Sequence, residues 1–123
     1  MLNTPAQGSP LSGNQVYELC TATMATNPEN ALMCRGYMFG IIEGLNLGLL
    51  MVIVKSGEAK DYQETHDAYS ELSGYCAPDD VTTKQLEDIF VGYMAANPAE
   101  RHLPASSLFL FSMRSAFPCS HNQ

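Results

Sequence analysis

Positive charge is scarce in this chain. Six lysines and arginines stand against thirteen aspartates and glutamates, for a formal net charge of -7. Phosphate binding needs clustered Lys and Arg, so nucleic acid is excluded as a partner and a basic protein suits the chain better. The four cysteines form no CxxC and have no histidine nearby, which argues against a redox motif and a zinc site. No metal or cofactor is expected. There is also no HExxH, no GxSxG, no glycine loop placed to cradle phosphate after a strand, and no local Cys and His signature. His66, His102 and His121 stand isolated, and His102 reads as a surface or helix-start residue rather than a general base. With the common catalytic patterns missing, the class that remains is binding.

The rest of the composition is that of a folded domain. At 46% hydrophobic and 15% charged residues over 123 positions, the chain is globular and one domain long. No segment sustains a period of two, so an all-α fold is predicted.

The stretch from Cys34 to Val54 organises the chain. It lacks proline, and at roughly 1.5 Å per residue it is long enough for about six helical turns. Gly36, Gly40, Gly44 and Gly48 recur in it at every fourth position. Each costs a helix about 1 kcal/mol relative to alanine, so some close contact must offset the loss. Residues four apart share a helix face, and the four glycines are read as a shallow helix-packing groove. The preferred occupant is another helix of the same chain, and a two-fold contact between two chains is the alternative. A membrane span of this length is disfavoured by Arg35, Glu43 and Asn46, because a carboxylate near the bilayer centre costs several kcal/mol. Glu43 is expected to pair with Arg35 or Arg114, the alternative being a carboxyl that faces a cleft and titrates high.

Residues 1–12 hold Thr4, Pro5, Gly8, Ser9 and Pro10 and read as a flexible tail. Helical spacing of Val16, Leu19, Cys20 and Met24 predicts a helix from Gly13 to about Ala25, capped by Ser12. Asn27 as cap and Pro28 at the first helical position start the glycine-bearing helix. From Lys55 to Tyr75 the chain turns acidic and tyrosine-bearing, a long connection in which residues 59–72 have room for a short helix. Thr82 and Gln85 form a capping box ahead of the apolar arc Leu86, Ile89, Phe90, Tyr93 and Met94. A last helix starts at Pro104 and stops at Phe117 and Pro118. The fold read from this is four main helices in two antiparallel hairpins. A single domain spans residues 13–119, and residues 120–123 form a C-terminal tail.

An even set of cysteines without metal spacing reads as disulfides in an oxidising compartment. Four cysteines allow three connectivities. Hairpin geometry favours Cys20 with Cys34 and Cys76 with Cys119, since each pair lies roughly symmetrically about a turn. No basic then apolar leader opens the chain at Met1, and the expectation is that an export leader has been cut away.

The ordered run Cys34-Arg35-Gly36-Tyr37 with Gly40, Cys76-Ala77-Pro78 leading into Val81-Thr82-Thr83 with Gln85 and Leu86, then Tyr93, Asn97-Pro98, His102, Pro104-Ala105 and Phe117-Pro118-Cys119, resembles the Rap/Tai family of type VI secretion immunity proteins. The resemblance runs from about residue 13 to 119. It implies a periplasmic, all-helical, non-catalytic protein, often a homodimer. Such a protein binds a toxin injected by sister cells, typically a papain-like cysteine amidase that cuts peptidoglycan cross-links, and blocks its cleft. The residues expected to make that contact lie in the acidic connection: Glu58, Asp61, Tyr62, Glu64, His66, Asp67, Tyr69 and Glu71. The alternatives are a periplasmic helical chaperone or stress protein, and a small enzyme using Glu43 and His102.

Overall fold

Capping groups set where the helices begin. The computed structural model describes residues 10–57 and 59–120. In it Gln15 N–H donates to Ser12 Oγ at 3.2 Å while Ser12 N–H donates to Gln15 Oε1 at 2.8 Å, which opens α1 (Gly13–Cys20). Asn27 accepts from Asn30 N–H at 3.1 Å and, with Pro28 behind it, opens α2 (Pro28–Ser56) as predicted. The acidic connection holds α3 (Tyr62–Ser73). Thr82 and Gln85 form the predicted capping box, at 3.1 and 2.9 Å, for α4 (Thr83–Ala96). One 3-10 turn (Pro98–Glu100) leads to α5 (Ala105–Ala116). The fold is all-α, and no strand occurs among the described residues beyond one isolated bridge between Ser12 and Pro104.

α1 stops five residues earlier than its apolar spacing suggests. Thr21 Oγ1 donates to the Tyr17 carbonyl at 2.9 Å, and the Thr23 and Thr26 hydroxyls bond each other at 2.9 Å. Threonine hydroxyls offer the backbone partners other than the next helical turn, so a threonine-rich run ends a helix readily.

Both disulfides join the cysteines that hairpin geometry favours. Cys20 and Cys34 clamp α1 to α2 at a Cα separation of 4.9 Å, and Cys76 and Cys119 close the second half at 5.0 Å. The core forms beside the first clamp. Val16 of α1, Cys34 and Met38 of α2, Phe90 and Met94 of α4, and Leu108, Phe109 and Met113 of α5 are all buried. The Phe90 and Phe109 rings meet edge to face at 5.5 Å, a favoured aromatic geometry. Arg101 ties the parts together: its Nε donates to the Met94 carbonyl at 2.7 Å and its guanidinium lies 3.9 Å over the Tyr17 ring. Gly13 has to be glycine here, because a Cβ would collide with Leu108 and sit 2.8 Å from the Arg101 carbonyl oxygen.

The N-terminal tail expected for residues 1–12 lies mostly outside the described residues, as do Glu58 and His121. At its end Leu11 and Ser12 are tied down. The Leu11 carbonyl accepts from Ala105 N–H at 2.8 Å, and Gly13 N–H donates to the Leu103 carbonyl at 2.8 Å.

The glycine face of α2 corrects the preferred expectation. A Cβ added at Gly36, Gly40, Gly44 or Gly48 would meet no atom within 4 Å, so no helix of the same chain packs into that groove. α2 is apolar on nearly every side, and the disulfide chooses which side turns inward. Cys34 must reach Cys20, which brings Met38, Ile41 and Leu45 against the core and leaves the glycines outside. By length and composition α2 could cross a membrane, with a mean hydropathy of 1.9 in its most apolar window, and only 11% of that window is buried. Glu43 departs from expectation as well. It is exposed, while Arg35 approaches Glu87 at 4.0 Å and Arg114 Nε donates to the Ser73 carbonyl at 2.8 Å.

Candidate partner-binding surface

α3 is fixed at both ends by groups the sequence supplies. At its start Asp61 accepts from Glu64 N–H at 2.8 Å, and the Glu64 carboxylate accepts from Lys60 N–H at 3.1 Å. Negative charge there also suits the helix N-terminus. At its end Gly74 turns the chain with φ of 80°, and Arg114 Nε of α5 donates to the Ser73 carbonyl. A Cβ on Gly74 would stand 2.7 Å from Arg114 Nε. Gly74→Ala should therefore cost about 1–2 kcal/mol, from left-handed strain and the displaced Arg114 bond. Urea unfolding measures it, and an unchanged midpoint would contradict this account of the helix end.

Held in this way, α3 sorts the expected contact residues onto two sides. Glu64, Asp67 and Glu71 are three and four apart and form an acidic stripe. This stripe walls a groove of about 330 Å³ whose other side is Val52, Ile53 and Ser56 of α2, with Ala59, Ala68 and Leu72 along it. Tyr62, His66 and Tyr69 share the other side. The rings of Tyr62 and His66 are 6.1 Å apart, and Tyr62 is 77% exposed. His66 and Tyr69 line a recess of about 380 Å³ with Asn46, Leu49, Tyr75 and Asp79. His66 Nε2 lies 3.0 Å from an Asp79 oxygen, and Nδ1 lies 3.9 Å from Asp67. Burial pushes the Tyr75 hydroxyl above its ordinary pKa, so it stays a neutral donor beside that recess.

The eight expected residues do not act alike. Glu58 lies outside the described residues. Asp61 and Glu64 are engaged in capping, Asp67 accepts from Gln63 Nε2 at 2.9 Å, and Tyr69 is half-buried. Tyr62 and Glu71 are exposed and make no cap. Among the described residues no lysine or arginine pairs with Asp61, Glu64, Asp67 or Glu71, so the field of α3 is unneutralised and faces solvent. The described residues also hold no group of His, Cys, Asp and Glu able to bind a metal. Two components were not read from the sequence: Asp79, and the apolar pair Val52 and Leu72. The spacing of Glu64, Asp67 and Glu71 is the signal that could have separated a one-sided stripe from the rest of the acidic run.

The arrangement suits recognition of a protein. An acidic stripe borders an apolar strip, Tyr62 stands exposed at the first residue of α3, and the helix is held at both ends. A family model described as Rap1a immunity proteins matches residues 12–119. The chain belongs to the Rap1a immunity protein family. No curated protein and no solved structure is significantly similar to it. The Rap1a match includes all five helices and both disulfides, so α3 is part of the family domain and not an appendage to it. An immunity protein works by binding a toxin, and the Rap1a assignment places this chain among binding proteins. Two disulfides are compatible with a periplasmic location.

Proposed function

We propose that this chain is a periplasmic immunity protein of a type VI secretion system, and that it blocks a peptidoglycan amidase with the ridge formed by α3. The amidase is of the papain-like cysteine class, and the chain itself contributes no catalysis. The observation that carries this reading is the acidic stripe of α3, which no lysine or arginine among the described residues neutralises, with the exposed Tyr62 on the helix's other side. A segment that plugs a cleft must be ordered before binding, or the entropy of ordering it is lost from the affinity. The Asp61 cap, the Arg114 clamp and the Cys76 to Cys119 disulfide supply that order. The acidic stripe steers a basic rim, and a tyrosine buries a large area with few rotatable bonds. The protein acts as a homodimer.

The test uses a papain-like peptidoglycan amidase secreted by a type VI system, sought first in the open reading frames beside this chain's gene. Cells that export that enzyme to the periplasm should lyse, and co-export of this chain should rescue them and abolish cleavage of purified peptidoglycan in vitro. Lysis that continues at equal expression of the two proteins would overturn the reading. A second reading, a periplasmic helical chaperone, draws support from the bare apolar side of α2. It predicts suppression of aggregation of unrelated unfolded proteins and no rescue from the amidase.

A further inference from the structure

The bare side of α2 is too large to be an ordinary surface. Leu32, Met33, Leu47, Leu50, Met51 and Val54 are all exposed, Val54 to 70%. Half the girdle of a helix of this length, about 43 Å long and about 12 Å across, presents roughly 800 Å². That exceeds the largest apolar patch of a typical monomer, about 300–600 Å². It equals what one partner gives to a standard interface, about 800 Å².

Order along this side says what covers it. Met33, Gly36, Gly40, Gly44, Leu47, Met51 and Val54 follow one another at spacings of three and four, so they form one seam. The glycines occupy its first half and the large side chains its second. Gly40 and Leu47 lie equally far either side of the midpoint between Glu43 and Gly44. So do Gly36 and Met51, and so do Met33 and Val54. An antiparallel copy of the same helix, centred on that midpoint, therefore sets each large residue opposite a glycine, with Met33 facing Val54 at the ends. Each glycine position is open, with no atom of its own chain within 4 Å of a Cβ. Beside the seam, Ile41, Gly44, Leu45, Phe109 and Leu110 line an apolar groove of about 430 Å³, which has room for the flanking side chains. Charge is a cost that the apolar seam has to outweigh. The seam carries no ionised group except Glu43 at its rim, so a basic toxin finds little counter-charge here, and the two-fold sets the two exposed Glu43 carboxylates beside its axis, where solvent screens their repulsion.

We propose that α2 pairs with α2 of a second copy, antiparallel, about a two-fold axis between Glu43 and Gly44. Leu47 and Met51 of each chain then seat over Gly40 and Gly36 of the other. The proposal rests on the homodimer in the reading above and specifies its interface. An isologous contact of this kind repeats every pairing twice. The glycines are the holes that let the two backbones approach.

Light scattering on a sizing column tests it with the whole chain. The unmodified protein should run at twice its 13.4 kDa chain mass. Gly40→Leu should run at the single-chain mass with unchanged helical circular dichroism, because the new side chain has room in its own chain but fills the hole for the second copy's Leu47. Exchanging the pair, Gly40→Leu with Leu47→Gly, should restore the dimer. A Gly40→Leu protein that stays dimeric overturns this interface and leaves a homodimer through another face. An exchanged pair that stays monomeric overturns the register. An unmodified protein that is monomeric, and instead floats with phosphatidylcholine vesicles or gains mass only with the amidase, overturns both the interface and the homodimer. None of these outcomes touches the toxin contact on α3.

Discussion

Serine at both Cys76 and Cys119 should lower the unfolding free energy by about 4 kcal/mol, the loop-closure value for a cross-link of this span. The two cysteines are 43 residues apart, and the loop they close contains all of α4, the 3-10 turn and all of α5. Without the bond the unfolded chain regains the freedom of that loop while the native contacts stay in place. The Cys76 N–H still donates to the Phe117 carbonyl at 2.8 Å, which keeps the native ends together and confines the effect to the unfolded state. A domain of this size has a total margin on the order of 5–15 kcal/mol, so the loss is a large share. Urea unfolding at neutral pH measures it. A loss below about 1 kcal/mol would mean that residual structure already restricts the unfolded ensemble, contrary to the loop-closure account. The shorter Cys20 to Cys34 loop, with a separation of 14, should cost less, about 3 kcal/mol.

Alanine at Tyr62, Asp67 and Glu71 together should weaken amidase binding by at least about a hundredfold. An exposed tyrosine that becomes the centre of an interface is worth about 2 kcal/mol or more, and the two carboxylates add association rate at low salt. Thermal stability should stay within about 0.5 kcal/mol, because none of the three caps a helix or fills the core. The choice of residues matters. Asp61 and Glu64 belong to the same acidic run, but both hold the start of α3, so replacing them would loosen the helix by about 1 kcal/mol and confuse stability with contact. Calorimetric titration reads the affinity. Full affinity in the triple variant would remove α3 from the contact.

Much of the frame was legible because short-range chemistry determined it. Asn27 with Pro28, and Thr82 with Gln85, are local signals whose partners lie three residues away, and both helices start where those signals stand. Cysteine pairing was legible because two turns placed each pair symmetrically. The orientation of α2 was not. A helix with apolar residues at almost every angle has no preferred side, so its pattern cannot say which face turns to the core. That choice came from Cys34, whose bond to Cys20 turns Met38 inward and the glycines outward. Glu43 was misplaced for the same reason, since its expected partners were chosen on the assumption that its side of α2 was covered.

The acidic run was partly legible. Its charge and tyrosines were visible, but a count of carboxylates cannot distinguish those that cap a helix from those free to meet a partner. The sequence Asp61-Tyr62-Gln63-Glu64 carries the spacing of an N-terminal cap. Read as such, it would have separated Asp61 and Glu64 from Asp67 and Glu71. His66 and Asp79 were beyond reach for a different reason, because their contact depends on how the chain returns after Gly74.

The central claim is that α3 is the surface that meets the toxin. Hydrogen exchange of this chain, alone and with the amidase it neutralises, tests it most directly. The amides of residues 62–71 should slow strongly in the complex, together with those of residues 52–56 along the groove, while α4 exchanges as before. Protection confined to α4 and α5, with α3 exchanging at its free rate, would contradict the claim.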